Sequence, residues 1–145
     1  MTKTIEPPAV RLTVPVDRIR NLITGALEGG SNYWVNRIVK FTYPPGTTKA
    51  DFGEGGKHCP PDSFCGRKEL VPTFEGGCMV LNVDNPEVGE DMVDLPFGPE
   101  QIARGVQVMA EKYPHHFRDM MSEDDDATTA DVFLQCCIFG DCIFS

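Results

Sequence analysis

The sequence predicts an α+β fold: a single domain in which a small, mostly antiparallel sheet carries about three helices packed on it. Three observations carry that expectation. Apolar residues recur at three- and four-residue spacing in separate stretches, the period of a helix with one buried face. Other short runs are rich in β-branched and aromatic residues, which suit a pleated, half-buried surface. The chain has 145 residues and neither a second apolar core nor a Ser/Gly linker, so one domain spans 1–145.

Residues 1–8 are polar and contain two prolines, and are expected to be flexible. Val10-Arg11-Leu12-Thr13-Val14 alternates apolar and polar side chains and predicts a strand. Residues 15–27 predict a helix whose stripe is Val16, Ile19, Leu22, Ile23, Ala26 and Leu27. Gly29-Gly30 should end it in the left-handed conformation open to glycine. A strand over most of 33–43 follows, stopped by Pro44-Pro45-Gly46. Residues 44–67 form a long loop with five glycines, four prolines and few apolar anchors.

Two more strands are expected at 68–71 and 78–83. The unbroken apolar run Cys78-Met79-Val80-Leu81 points to a central position for the second. Residues 92–95 add a short edge strand. A helix starts near Pro99 with Ile102, Val106, Met109 and Tyr113 on its buried face, and Pro114 limits it. Residues 115–121 suggest a second short helix. An aspartate of the acidic turn 123–126 should cap the last helix, which buries Ala130, Phe133, Leu134, Cys137 and Ile138 and ends at Gly140. Ile143 and Phe144 either return to the core or sit in a partner, and a homo-oligomer is compatible with the chain. Glu-Gly-Gly occurs at 28–30, 54–56 and 75–77, but unequal spacing and different flanks argue against a structural repeat.

Composition narrows the function classes. No apolar run approaches the roughly 20 residues that cross a bilayer, and the N-terminus lacks the apolar core of a signal peptide. A cytoplasmic protein is therefore expected, with no membrane partner. In that reducing setting the six cysteines are expected as free thiols. The net charge of −9 is uneven: residues 1–60 carry eight basic and five acidic groups, residues 61–145 five basic and seventeen acidic. A charge of −12 on the second part opposes phosphate backbones, so nucleic acid is not an expected partner. The same charge serves solubility, and could attract a basic protein surface.

Four constellations are candidates for chemistry. The first is Glu28-Gly29-Gly30-Ser31-Asn32-Tyr33-Trp34, a ligand- or partner-binding candidate. Its glycines let backbone approach a ligand, Asn32 both donates and accepts, and Tyr33 and Trp34 offer flat faces with polar tips. The bland alternative is a glycine cap followed by a core strand. The second is His58, Cys59, Cys65 and Cys78 as metal ligands. Zinc wants four such ligands, and Cys-x5-Cys is wider than its usual spacing, so no metal is expected. The third is His115-His116, where one imidazole could act as a general base; adjacent positions on a helix diverge, so no ready-made pair is expected. The fourth, a cysteine nucleophile, lacks any recognisable signature, and Cys136 and Cys137 fall in the apolar helix. No phosphate loop, nucleophile elbow or dinucleotide fingerprint is present, and no cofactor is expected.

Two segments together carry a resemblance: Ala26-Leu27 with the 28–34 segment, and 105–117 (GVQVMAEKYPHHF) followed by 126–136 (DATTADVFLQC). The pairing resembles a family of small proteins of unknown function encoded by bacteriophages and prophages. It covers about a third of the chain, near its two ends, and leaves 44–98 unmatched. The resemblance implies a phage accessory protein in the bacterial host cytoplasm, and it brings no catalytic residues. The expected role is therefore non-enzymatic: binding and modulating a host component, with a bacterial defence system one such target. The alternatives are a binder of a small nucleotide-like ligand at 29–34, a small enzyme using His115 or His116, and a DNA mimic built on the acidic residues of 119–131. If the fold has a pocket, the turn at 28–34 should form one wall of it.

Overall fold

The computed structural model describes residues 13–53, 55–58, 68–87 and 91–144. Within these it is an α+β fold with a three-stranded antiparallel sheet and four α-helices. The elements run α1 (Val16–Gly25), a π-type turn (Ala26–Gly30), β1 (Val35–Thr42), 3-10 turns at Lys49–Phe52 and Lys68–Thr73, β2 (Cys78–Asp84), β3 (Met92–Phe97), α2 (Pro99–Lys112), α3 (Pro114–Met121) and α4 (Ala127–Phe139). None of these helices is long and apolar enough to cross a membrane.

Strand β2 is central, as its apolar run predicts, between β1 and β3. Phe41, Met79 and Phe97 line up across the three strands, and Val35, Val83 and Val93 do the same further along. These residues join the core with Leu22, Ile23 and α4. The two edges resist further pairing: β1 is broken by two register shifts and carries Arg37 and Lys40, and β3 contains Pro96, which has no N–H to give.

Helix α4 is the hub of the helical layer. It is buried on every side from Thr129 to Ile138 and packs against α1, α2, α3 and β3. The expected single stripe is thus too narrow, because neighbours surround the helix. Gly105 lets α2 come in close: a Cβ there would lie 2.2 Å from the Cys137 sulfur. Arg104, one residue earlier, donates to the Cys137 carbonyl and to that of Ile138 (2.9 Å), groups left over at the C-terminal end of α4. Asp126 caps the other end by accepting from the Thr129 N–H at 2.9 Å.

Several expectations need correction. The strand expected at 68–71 is a 3-10 turn. Pro72 lacks the N–H a ladder needs, and successive Leu70 and Val71 are both buried rather than alternating across a sheet. They form a satellite core with Phe52, against which Phe41, Tyr43 and Phe74 pack, so the described part of the 44–67 loop is anchored at Phe52. Gly29 and Gly30 do not form a left-handed cap. Gly29 has φ 178°, and α1 unwinds through the π-type turn, closed by the Ser31 N–H on the Ala26 carbonyl at 2.9 Å. Strand β1 starts at Val35, after a turn that contains Tyr33 and Trp34. The strand expected at 10–14 and the flexible 1–8 lie outside the described residues except for Thr13 and Val14, which are not in a strand.

Candidate functional site

The turn between α1 and β1 is fixed by one carboxylate. Asp131 sits on the second turn of α4, 91% buried, and takes a hydrogen bond from each of four side chains. Its Oδ1 accepts from the Ser31 hydroxyl (2.8 Å) and the Trp34 indole N–H (2.6 Å). Its Oδ2 accepts from the Tyr33 hydroxyl (2.5 Å) and the Gln135 amide (3.1 Å). Neutral donors thus provide the carboxylate's hydrogen bonds, two on each oxygen, which use the four lone-pair positions it has.

Gln135, one helical turn further along α4, extends the network to the end of the chain. Its carbonyl oxygen accepts from the N–H groups of Ile143 and Phe144, both at 2.7 Å. Its amide donates to the Phe144 carbonyl at 3.1 Å and to the Tyr33 oxygen at 3.2 Å. The fully buried Gln135 therefore acts as a backbone clamp. It folds residues 140–144 back over Trp34, whose ring lies 5.3 Å from Phe139 and 5.8 Å from Phe144. Phe144 returns to the core, while Ile143 stays 48% exposed.

Gly30 allows this junction. A Cβ on it would lie 2.6 Å from the Ala127 carbonyl oxygen, so glycine is required by close approach to α4. Within 28–34, Ser31 and Trp34 are buried behind the surface, and Glu28, Gly29 and Asn32 are exposed. Tyr33 is half exposed, with its hydroxyl turned inward to Asp131. Loss of hydration around that hydroxyl, and then the Asp131 carboxylate, hold it above the usual tyrosine range.

Beside Tyr33 lies a half-open hollow of about 480 Å³, with Gly30, Tyr33, Asp131, Val132, Cys142 and Phe144 in its wall. It is mainly apolar with a few polar groups, and its volume falls within the range of small-molecule sites. Burial, reinforced by Asp131, raises the Cys142 thiol above its ordinary range, which disfavours a reactive thiolate. Burial pushes Cys136 up to about 12 and Cys137 well above its usual value. A second groove of about 420 Å³ runs between α1 and α2, along Val14, Val16, Ile19, Ile102 and Val106, and no ionisable side chain is among the described residues that line it.

The other candidates lie apart from this junction. His115 and His116 start α3 with ring centroids 4.0 Å apart, closer than positions diverging on a helix suggest. His116 Nδ1 lies 3.0 Å from the Thr129 hydroxyl, but Thr129 is 99% buried and closed to a substrate. Burial, then His115, lowers the His116 pKa. His58 packs on Phe52 and Phe74 at 5.1 and 4.7 Å, covering the satellite core. Cys78 opens β2, paired with Thr42. Cys59 and Cys65 lie outside the described residues, and among those described no three His, Cys, Asp or Glu side chains are grouped to hold a metal.

Asp131 and Gln135 are the site residues that sequence reasoning missed. The available signal was a charged and an amide side chain, four apart, inside a helix otherwise apolar from Ala130 to Ile138. Compared with known proteins, the chain matches no family model, and searches of curated proteins and solved structures give no significant match.

Proposed function

We propose that this chain is a phage accessory protein that acts by binding and modulating a host component, for example part of a defence system, with the surface around Tyr33 as its contact. One observation carries this reading. Tyr33 is held half exposed at the lip of the hollow, with its hydroxyl pinned by Asp131. An aromatic side chain fixed before binding loses little entropy on association, and such residues dominate interface energetics. Exposed Ile143 is held by the same Gln135 clamp and offers a further apolar side chain. The test is quantitative capture from bacterial lysate with the wild-type protein and Tyr33→Ala. A host protein retained at stoichiometric level by the first and lost by the second supports the role. Failure to retain any such protein across several host lysates overturns it.

The volume of the hollow favours a second reading, a small nucleotide-like ligand. A base could stack on Tyr33, but a phosphate would face Asp131. A nucleotide panel, cyclic forms included, tested by thermal shift decides this; a ligand at about 100 times its Kd adds about 2.7 kcal/mol. No shift with any of them removes the reading.

A further inference from the structure

We propose that the occupant of the hollow beside Tyr33 is a basic segment of a partner protein, which lodges an arginine or lysine side chain against the Tyr33 ring. This inference rests on the binding role above and names the partner's chemistry.

The hollow selects by shape and charge together. Its wall is apolar at Val132 and Phe144, aromatic at Tyr33 and anionic at Asp131, and no lysine or arginine is among the described residues that line it. Two lining residues directly follow further carboxylates: Ala127 follows Asp126, and Cys142 follows Asp141. Asp141 is partly neutralised by Lys112 at 3.2 Å, while Asp126 is an exposed cap. Hydrogen bonds hold Asp126 and Asp141 below the ordinary aspartate range, Asp126 chiefly through the Thr129 N–H and Asp141 chiefly through the Tyr113 hydroxyl.

An anionic ligand meets repulsion here, and a neutral one leaves the field unused. A side chain with an apolar stem and a cationic head matches both features, because the stem can lie along Val132 and Phe144 while the head rests on the tyrosine face. Asp131 contributes its charge without needing to accept a fifth hydrogen bond. Exposed Ile143, whose backbone N–H is held by the same Gln135 that bonds Tyr33, offers a second apolar side chain on which a neighbouring residue of a peptide can pack. That second side chain favours a protein segment over a free cation.

Thr128 supplies the test, since it lines the hollow, is exposed, and accepts a long side chain on the first turn of α4. The probe is a library of random ten-residue peptides selected on the intact protein. The selected peptides are expected to carry arginine or lysine next to an apolar residue. Thr128→Lys should weaken them about tenfold, and Thr128→Glu should leave them equal or tighter. Tyr33→Phe, which keeps the ring, should retain most of the affinity. Three outcomes overturn the inference: no selected peptides, selection of acidic or neutral peptides, or equal effects of the two Thr128 substitutions. If lysate capture still finds a Tyr33-dependent partner in any of those cases, the binding role stands and only the proposed chemistry falls.

Discussion

The indole N–H of Trp34 donates to Oδ1 of Asp131 across 2.6 Å, joining two residues that are 97 positions apart in the chain. Around this bond the α1–β1 turn, the core of α4 and the C-terminal residues become one unit. Residues 31–34 and 131–135 meet here.

Asp131 should be worth more to stability than any other polar side chain in the junction. Asp131→Ala leaves the Ser31, Tyr33 and Trp34 donors without their acceptor, while the Gln135 amide keeps the Phe144 carbonyl. Orphaning buried donors costs about 1–3 kcal/mol each before relaxation, so a loss of about 3–4 kcal/mol is expected. Asp131→Asn should cost less, about 2 kcal/mol, because one oxygen still accepts. Urea titration followed by the emission of Trp34, the chain's single tryptophan, measures both. A loss below about 1 kcal/mol for the alanine variant would contradict the arrangement.

Gln135 should control the C-terminal residues specifically. Gln135→Leu keeps the bulk and removes the acceptor of the Ile143 and Phe144 N–H groups. Hydrogen exchange at those two amides should speed up about tenfold or more, while the amides of β2 remain protected. Unchanged exchange at 143 and 144 would mean that the clamp contributes nothing.

The two glycines of the turn should respond differently to alanine. At Gly30 the new methyl would lie 2.6 Å from the Ala127 carbonyl oxygen, whereas at Gly29 nothing lies within 4 Å. Gly30→Ala should destabilise by about 1–3 kcal/mol, as overpacking does, and Gly29→Ala by less. Thermal unfolding of the two variants side by side checks the order.

Stability should fall in two steps as pH is lowered. Burial depresses the folded-state pKa of His116 below its usual 6.5, so the unfolded chain binds the proton more readily. Stability is then complete above about pH 6.5 and declines as pH falls below that value, until the folded state protonates as well. Asp119 and Asp126 oppose the shift, and His115 strengthens it. Asp126 and Asp141 have lowered pKa values, so their contribution is complete above the unfolded aspartate value and disappears only in the more acidic step. Urea midpoints between pH 4.5 and 8 should show the first step, and His116→Gln should flatten it. A first step of unchanged size in that variant would assign it to another group.

Sequence by itself determined the elements whose signals are local. The four-three-four spacing of Ile102, Val106, Met109 and Tyr113 needs only one helical face to be buried, and α2 has it. The apolar run of Cys78-Met79-Val80-Leu81 placed β2 in the middle of the sheet, and Asp126 and Gly140 bound α4 through backbone groups within a few residues. Only the tertiary structure decided what depends on distant chain. It separated neighbouring aromatics, sending Trp34 into the core and Tyr33 to the lip of a hollow, because α4 presents Asp131 between them. It turned 68–71 from a strand into a 3-10 turn that buries Leu70 and Val71 against Phe52. It also made Gly30 a point of contact with Ala127 rather than a left-handed cap. A window of ten or fifteen residues records which face is apolar, but hydrogen bonds spanning about a hundred residues depend on where the packed layers bring the chain together.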